Sequence, residues 1–120
     1  MSEISTQIIE EAIYKLCFDA NICLDKSIYE KILAAYKKNH SDILKNILKN
    51  AKNAYDLNLP LCQDTGQVIV FLEIGQNVKL TGEFILDSVN KAVEKCYIDN
   101  FFRKSTVRNS VFDRQNTNNN

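Results

Sequence analysis

The stretch from Pro60 to Ile74 reads Pro-Leu-Cys-Gln-Asp-Thr-Gly-Gln-Val-Ile-Val-Phe-Leu-Glu-Ile and decides the fold class. It opens with the only proline of the chain, which ends any preceding helix, and continues as a polar turn. The run Gln67–Ile74 has the length and near-continuous apolarity of a strand buried on both faces. Residues 75–77 predict a turn, and Val78–Leu80 predicts a short second strand. We therefore expect a small β element at about residues 67–80.

Helical periodicity flanks this element on both sides. Before it, apolar spacing predicts one helix from Ile4 to about residue 18, a second beginning at a Ser27–Glu30 capping box, and a third capped by Ser41. After it, a fourth helix is predicted from about Gly82 to Phe101. The chain is therefore predicted to be α+β, with a mainly helical part of about four helices.

The C-terminal stretch lacks the apolar residues that a packed element requires. It carries little apolar material after Phe102 and ends in three asparagines. Because such a stretch buries too little apolar area to offset chain entropy, we expect residues 104–120 to form an irregular tail.

Composition indicates an ordinary globular protein. The 120 residues are enough for one domain with a modest core. With 15 basic and 15 acidic residues the formal net charge is zero, which argues against a nucleic-acid partner. We expect no signal peptide and no membrane span, hence a cytoplasmic protein with reduced cysteines. No C-x-x-C pair is present, so the usual zinc and thioredoxin signatures are absent.

The segment Pro60–Gly66 concentrates groups that can carry chemistry. Cys62, Gln63 and Asp64 place a thiol, an amide and a carboxylate on consecutive residues of a predicted loop. A thiolate can ligate iron, and a carboxylate can move protons. However, Asp-Thr-Gly is also a common turn sequence, and a lone cysteine is often a small buried hydrophobic residue. The residues by themselves leave both interpretations open.

Three segments resemble one known family. Pro60–Gly66 resembles the P-x-C-Q-D-T-G segment of class I, iron–sulfur-dependent fumarases and of the related tartrate dehydratase α subunits. Arg103–Ser105 is similar to that family's helix end, and Arg114–Thr117 to its R-x-N-T-G stretch, with Asn118 in place of the glycine. The resemblance covers roughly residues 40–120 and identifies the chain as the N-terminal part of such an α subunit.

The resemblance implies a hydro-lyase with a [4Fe-4S] cluster held by three cysteines, of which Cys62 is one. The open iron would act as a Lewis acid on the substrate hydroxyl, in the hydration of fumarate to L-malate or the dehydration of tartrate. Gln63, Asp64 and Arg103 would line the dicarboxylate site, with Asp64 as the catalytic carboxylate. The planar fork of Arg103 suits a carboxylate, although an arginine there can also simply interact with a helix dipole.

The same resemblance implies partners. These are the dicarboxylate substrate and the remainder of the α subunit, and the need for a β subunit stays open. We expect a homo- or hetero-oligomer in which the isolated chain is inactive.

Three further cysteines and the only histidine remain to be interpreted, and two alternative functions stay open. Cys17 and Cys96 fall on or beside apolar helix stripes and are predicted to pack in the core, whereas Cys23 lies near a helix junction without a clear partner. A nucleophilic pair of Cys62 with His40, the only histidine, would define a cysteine-dependent enzyme. A non-catalytic helical interaction module is the other alternative.

Overall fold

A computed structural model describes residues 2–61 and 66–117. Its strands are β1 (Ser2–Ser5), β2 (Val78–Thr81), β3 (Val107–Asn109) and β4 (Asp113–Asn116), and its helices are α1 (Thr6–Ile22), α2 (Lys26–Asn39), α3 (Asp42–Leu57) and α4 (Ile85–Asp99). The predicted α+β class is confirmed. None of the described helices is long and apolar enough to cross a membrane.

The first strand was not predicted. Residues Ser2–Ser5 pair in parallel with Val78–Thr81, so that Ile4 lies opposite Leu80. Ile4 therefore belongs to β1 and not to the first helix, which begins at Thr6 and runs on to Ile22. The predicted strand at Val78–Leu80 is confirmed as β2.

The predicted strand at Gln67–Ile74 is wrong. The described residues 66–75 adopt neither helix nor strand, and Ile69 and Phe71 are 74% and 93% exposed. A strand buried on both faces requires neighbouring strands and covering side chains. Among the described residues, nothing pairs with this run, so its β-branched sequence does not produce a ladder.

The chain divides into two compact units. Unit 1 comprises Met1–Phe18 and Asp64–Asn120, and unit 2 comprises Asp19–Gln63. Unit 1 has a core between the first part of α1 and α4. Its buried apolar residues are Ile13, Cys17, Ala92, Val93, Cys96, Tyr97 and Phe102.

Unit 2 is built on α2 and α3, which contact each other. Buried Leu48, Ala51 and Ala54 lie on one side of α3. Ser41 is the N-cap position of α3, as predicted, although its side chain makes no capping hydrogen bond. The predicted capping box at Ser27 is wrong, because Asp25 is the N-cap of α2 and its carboxylate accepts from the backbone N–H groups of Ser27 and Ile28.

The C-terminal stretch is more ordered than predicted. Instead of an irregular tail from residue 104, strands β3 and β4 form an antiparallel hairpin. The Asn109 side chain accepts from the backbone N–H groups of Val111 and Phe112 at 2.9 and 3.0 Å. Hydrogen bonds to a polar turn residue thus stabilise a segment that has little apolar area to bury.

Candidate functional site

The site residues predicted from the sequence fall into two groups. Cys62, Gln63 and Asp64 lie outside the described residues, so their predicted roles stay predictions. Arg103 is described and exposed, beyond the end of α4. Leu61 and Gly66, on either side of residues 62–65, are described.

A helix-capping motif positions the segment that carries Arg103. The backbone N–H of Phe102 donates to the carbonyl of Tyr97 at 3.0 Å, and that of Phe101 to the carbonyl of Ile98 at 3.3 Å. These two bonds are the Schellman arrangement, which needs a left-handed residue after the C-cap Asn100. Phe101 occupies that position with φ +55°, a conformation that bulky residues rarely adopt. The direction in which the chain leaves α4 is therefore fixed by the backbone.

Aromatic packing anchors the same segment. Phe102 is buried, and its ring lies 6.1 Å from that of Phe18 in a stacked arrangement. It also meets the ring of Tyr97 edge-on at 5.6 Å. Because the residue directly before Arg103 is held in the core of unit 1, the guanidinium extends from a rigid base.

The segment after Arg103 contacts the end of the cysteine-containing motif. The Ser105 hydroxyl donates to the carbonyl of Gly66 at 3.4 Å. Gly66, with φ +67°, is the last residue of the Pro60–Gly66 motif. Ser105 and Gly66, which belong to two different motifs and lie far apart in the chain, are therefore neighbours in unit 1.

The third segment contacts the chain that follows Arg103. The Asn116 amide donates to the carbonyl of Lys104 at 2.6 Å. Thr117 donates to the carbonyl of Thr106 through its backbone N–H at 2.9 Å and through its hydroxyl at 3.3 Å. The segment that follows Arg103 is thus held by Gly66 on one side and by Asn116 and Thr117 on the other.

Sequence reasoning missed the positioning residues of this arrangement. Ser105 and Asn116 belong to the motifs found in the sequence, which predict no role for either residue. The signal was present, because small polar residues in loops commonly hydrogen-bond to backbone groups. Their partners, Gly66 and Lys104, could not be predicted, since they depend on the long-range fold.

The other cysteines and the histidine have structural surroundings. Cys17 and Cys96 are buried, as predicted, whereas Cys23 is half-buried. His40 is the C-cap of α2, with φ 45° and its backbone N–H donating to Tyr36. Its pairing with Cys62 lies outside the described residues. Among residues 2–61 and 66–117, no group of three or more His, Cys, Asp or Glu side chains could hold a metal ion.

Comparison with known proteins shows which family the chain matches. The family model described as Fumarate hydratase (Fumerase) matches residues 10–120. A protein of Methanocaldococcus jannaschii, provisionally named L(+)-tartrate dehydratase subunit alpha, is 40% identical over 96 residues, covering 72% of this chain and 34% of that protein. The L(+)-tartrate dehydratase subunit alpha of Escherichia coli O157:H7 is 40% identical over 76 residues, covering 62% of this chain and 24% of that protein. The chain thus spans about a quarter to a third of these curated relatives.

Proposed function

This chain belongs to the Fumarate hydratase (Fumerase) family, and on that premise we propose that it forms part of the active site of a hydro-lyase. The reaction is the hydration of fumarate to L-malate or the analogous dehydration of tartrate. The observation that carries the proposal is the hydrogen bond of Ser105 to Gly66, because it joins the segment after Arg103 to the end of the cysteine motif. Such convergence of separate polar segments is how loops build a site on a rigid scaffold.

In this proposal each polar residue has a distinct task. Arg103 binds one carboxylate of the substrate through the two parallel N–H groups of its guanidinium. The Gln63 amide donates to another carboxylate oxygen, and the Asp64 carboxylate accepts from the substrate hydroxyl and moves its proton. Ser105 and Asn116 contact no substrate, and they hold the backbone that carries Arg103.

The proposed cofactor is a [4Fe-4S] cluster with Cys62 as one ligand. Bound there, the cluster would supply a Lewis acid for the substrate hydroxyl. The described residues do not provide the other two thiolates, because Cys17 and Cys96 are buried in the core of unit 1 and no metal-ligand group is present in 2–61 or 66–117. Those ligands would have to come from outside the described residues.

The proposed partners follow from the relatives. Both are named as the alpha subunit of a tartrate dehydratase. We therefore propose that this chain works within an oligomer, together with the remainder of an α subunit and a β subunit.

Kinetics of an arginine variant test the proposed function. In the assembled, cluster-loaded enzyme, Arg103→Lys should lower kcat/KM for fumarate or tartrate by about 10- to 100-fold, because an ammonium cannot replace a bidentate contact worth about 1.5–3 kcal/mol. Arg108→Lys is the matched control, since Arg108 is also exposed but lies in β3. It should change kcat/KM by less than about twofold. Equal kinetics for Arg103→Lys and the unchanged enzyme would remove Arg103 from the site.

A further inference from the structure

An apolar run with exposed side chains lies in unit 1. It comprises residues 67–74, which adopt neither helix nor strand. Five of its apolar side chains are exposed, namely Ile69, Val70, Phe71, Leu72 and Ile74. A single exposed apolar side chain needs no explanation, whereas a contiguous apolar patch commonly marks an interface. The 67–74 run is therefore a candidate for contact with another part of the assembled protein.

The backbone of the 67–74 run also lacks partners. Within residues 2–61 and 66–117, no backbone-to-backbone hydrogen bond involves this run. Valine and isoleucine favour strands because their branched side chains fit a pleated surface. The N–H and C=O groups of a strand are paired only by a neighbouring strand. Both the side chains and the backbone of the run are thus available for pairing.

Both ends of the 67–74 run are held by unit 1. Before its start, the Gly66 carbonyl accepts from the Ser105 hydroxyl at 3.4 Å. After its end, the Val78 N–H donates to the Gly75 carbonyl at 3.0 Å, and Val78 begins β2. The run is thus a bridge between two anchored points. Because its ends are fixed, pairing with a partner strand costs less conformational entropy than ordering a free segment would.

The strand pair that follows the run is itself small. Strands β1 and β2 form a two-stranded parallel sheet. Parallel strands occur almost only in larger sheets with both faces covered, and a two-stranded ribbon is at best marginally stable in water. In the part of the chain that the structure describes, no third strand joins this pair. The β region of unit 1 therefore has the features of a sheet that further strands complete.

We propose that the 67–74 run forms a β-strand by pairing with a strand from the remainder of the α subunit. The inference rests on the proposed function only for the identity of this partner. In the Methanocaldococcus jannaschii relative, the matched region is 34% of the protein, so most of that subunit lies outside the region that this chain matches. A strand from that part supplies the hydrogen-bond partners of the run, and the layers beside it cover the apolar side chains.

A second copy of this chain fits the run less well. Consecutive side chains of a strand point to opposite faces, so Ile69 and Phe71 would lie on one face, and Val70 and Leu72 on the other. Two copies would contribute the same uncovered run, and their two-stranded ribbon would leave both apolar faces in water. The remainder of the subunit is the partner that can both pair with the run and cover it.

Hydrogen–deuterium exchange tests the proposal without any variant. The backbone amides of the 67–74 run are compared in the 120-residue chain and in the whole α subunit. We expect nearly unprotected exchange in the 120-residue chain and exchange slowed by at least about 100-fold in the whole subunit. Unprotected amides in the whole subunit would overturn the proposal, and so would protection that appears only when a β subunit is added.

Protection of the run already in the 120-residue chain would also overturn the proposal. The run would then be paired without the remainder of the subunit. Sedimentation of the same sample distinguishes the two possible causes, because pairing between copies gives a dimer and pairing within the chain gives a monomer.

Two substitutions at one position separate backbone pairing from side-chain contact. Val70→Pro removes a ladder N–H, whereas Val70→Thr keeps the N–H and a β-branched side chain. In the 120-residue chain, both variants should have the urea midpoint of the unmodified chain, because the run has no strand partner there. In the whole α subunit, Val70→Pro should abolish the slow exchange of the run and Val70→Thr should retain it. Equal exchange in the two variants would contradict the proposal.

The exchange measurement is independent of catalysis. It needs neither a cluster nor a substrate. A protected run in an inactive subunit would support the pairing and remove the proposed function. An active enzyme with an unprotected run would keep the proposed function and remove the pairing.

Discussion

At the scale of single residues, Gly82 controls how the strand pair meets the first helix. It has φ +106°, and a Cβ added there would lie 2.8 Å from the hydroxyl oxygen of buried Thr6. Gly82→Ala should therefore lower the free energy of unfolding by about 1–3 kcal/mol, through backbone strain and the clash together. Urea denaturation followed by circular dichroism measures the change.

Gly75 is the matched control for that substitution. A Cβ there would contact only the Val78 side chain, at an ordinary 3.6 Å, and its φ is not left-handed. Gly75→Ala should leave the free energy of unfolding unchanged or raise it by up to about 1 kcal/mol, because alanine restricts the unfolded chain. Similar losses for both variants would show that the tight contact with Thr6 does not exist.

At the scale of elements, the start of α2 makes stability depend on pH. Hydrogen bonds from the Ser27 hydroxyl and from the backbone N–H groups of Ile28 and Ser27 lower the pKa of the Asp25 carboxyl below its usual 3.8. Because the folded-state pKa is the lower one, the contribution of Asp25 is fully present above about pH 3.8 and is lost as the pH falls through the folded-state value.

Comparison with the Asp25→Asn variant separates the titration of Asp25 from that of the other ionisable groups. Asparagine is also a good N-cap but does not ionise. We expect the unmodified chain to lose urea resistance relative to Asp25→Asn as the pH is lowered from 5 to 2 in small steps. If the urea midpoints of the two proteins changed in parallel over that pH range, Asp25 would carry no capping charge.

Sequence patterns predicted the elements that show helical apolar spacing, and they missed those that depend on a distant partner strand or on polar turn residues. The helices were found because the spacing of their apolar residues is set within the helix itself. The run Gln67–Ile74 has strand propensity, but propensity cannot supply a neighbouring strand. The hairpin of β3 and β4 was missed because Asn109, and not apolar burial, organises its turn. At Ser27, a correct start signal was assigned to a residue two positions too late.

At the scale of the whole molecule, we predict that the isolated chain has no hydro-lyase activity. Even after anaerobic reconstitution with iron and sulfide, it should lack a stoichiometric four-iron cluster, because Cys17 and Cys96 are committed to the core of unit 1. Visible absorption, electron paramagnetic resonance and loss of fumarate absorbance measure the outcome. A full cluster with turnover would show that this ligand count is wrong.

The candidate site was predictable in composition and not in geometry. The motifs at Pro60–Gly66, Arg103–Ser105 and Arg114–Thr117 could be found in the sequence because each is a short run of specific residues. That Ser105 lies against Gly66, and Asn116 against Lys104, depends on the packing of Phe102 and on the cap of α4. Those contacts join distant parts of the chain, which no local pattern specifies.

The division into two units also has a consequence for the order of folding. Unit 2 is continuous in sequence, so α2 and α3 can pair as soon as Asp19–Gln63 have been synthesised. Unit 1 forms later, because its first segment has no partner until α4 is synthesised, and α4 begins at Ile85, 63 positions after the last residue of α1, Ile22. During that interval the apolar side of α1 has no core to enter. In refolding of the complete chain the same order is expected for another reason: unit 1 must bring together segments that lie far apart in the sequence, whereas α2 and α3 are adjacent. Pulse-labelled hydrogen exchange during refolding should therefore show protection in α3 before α4.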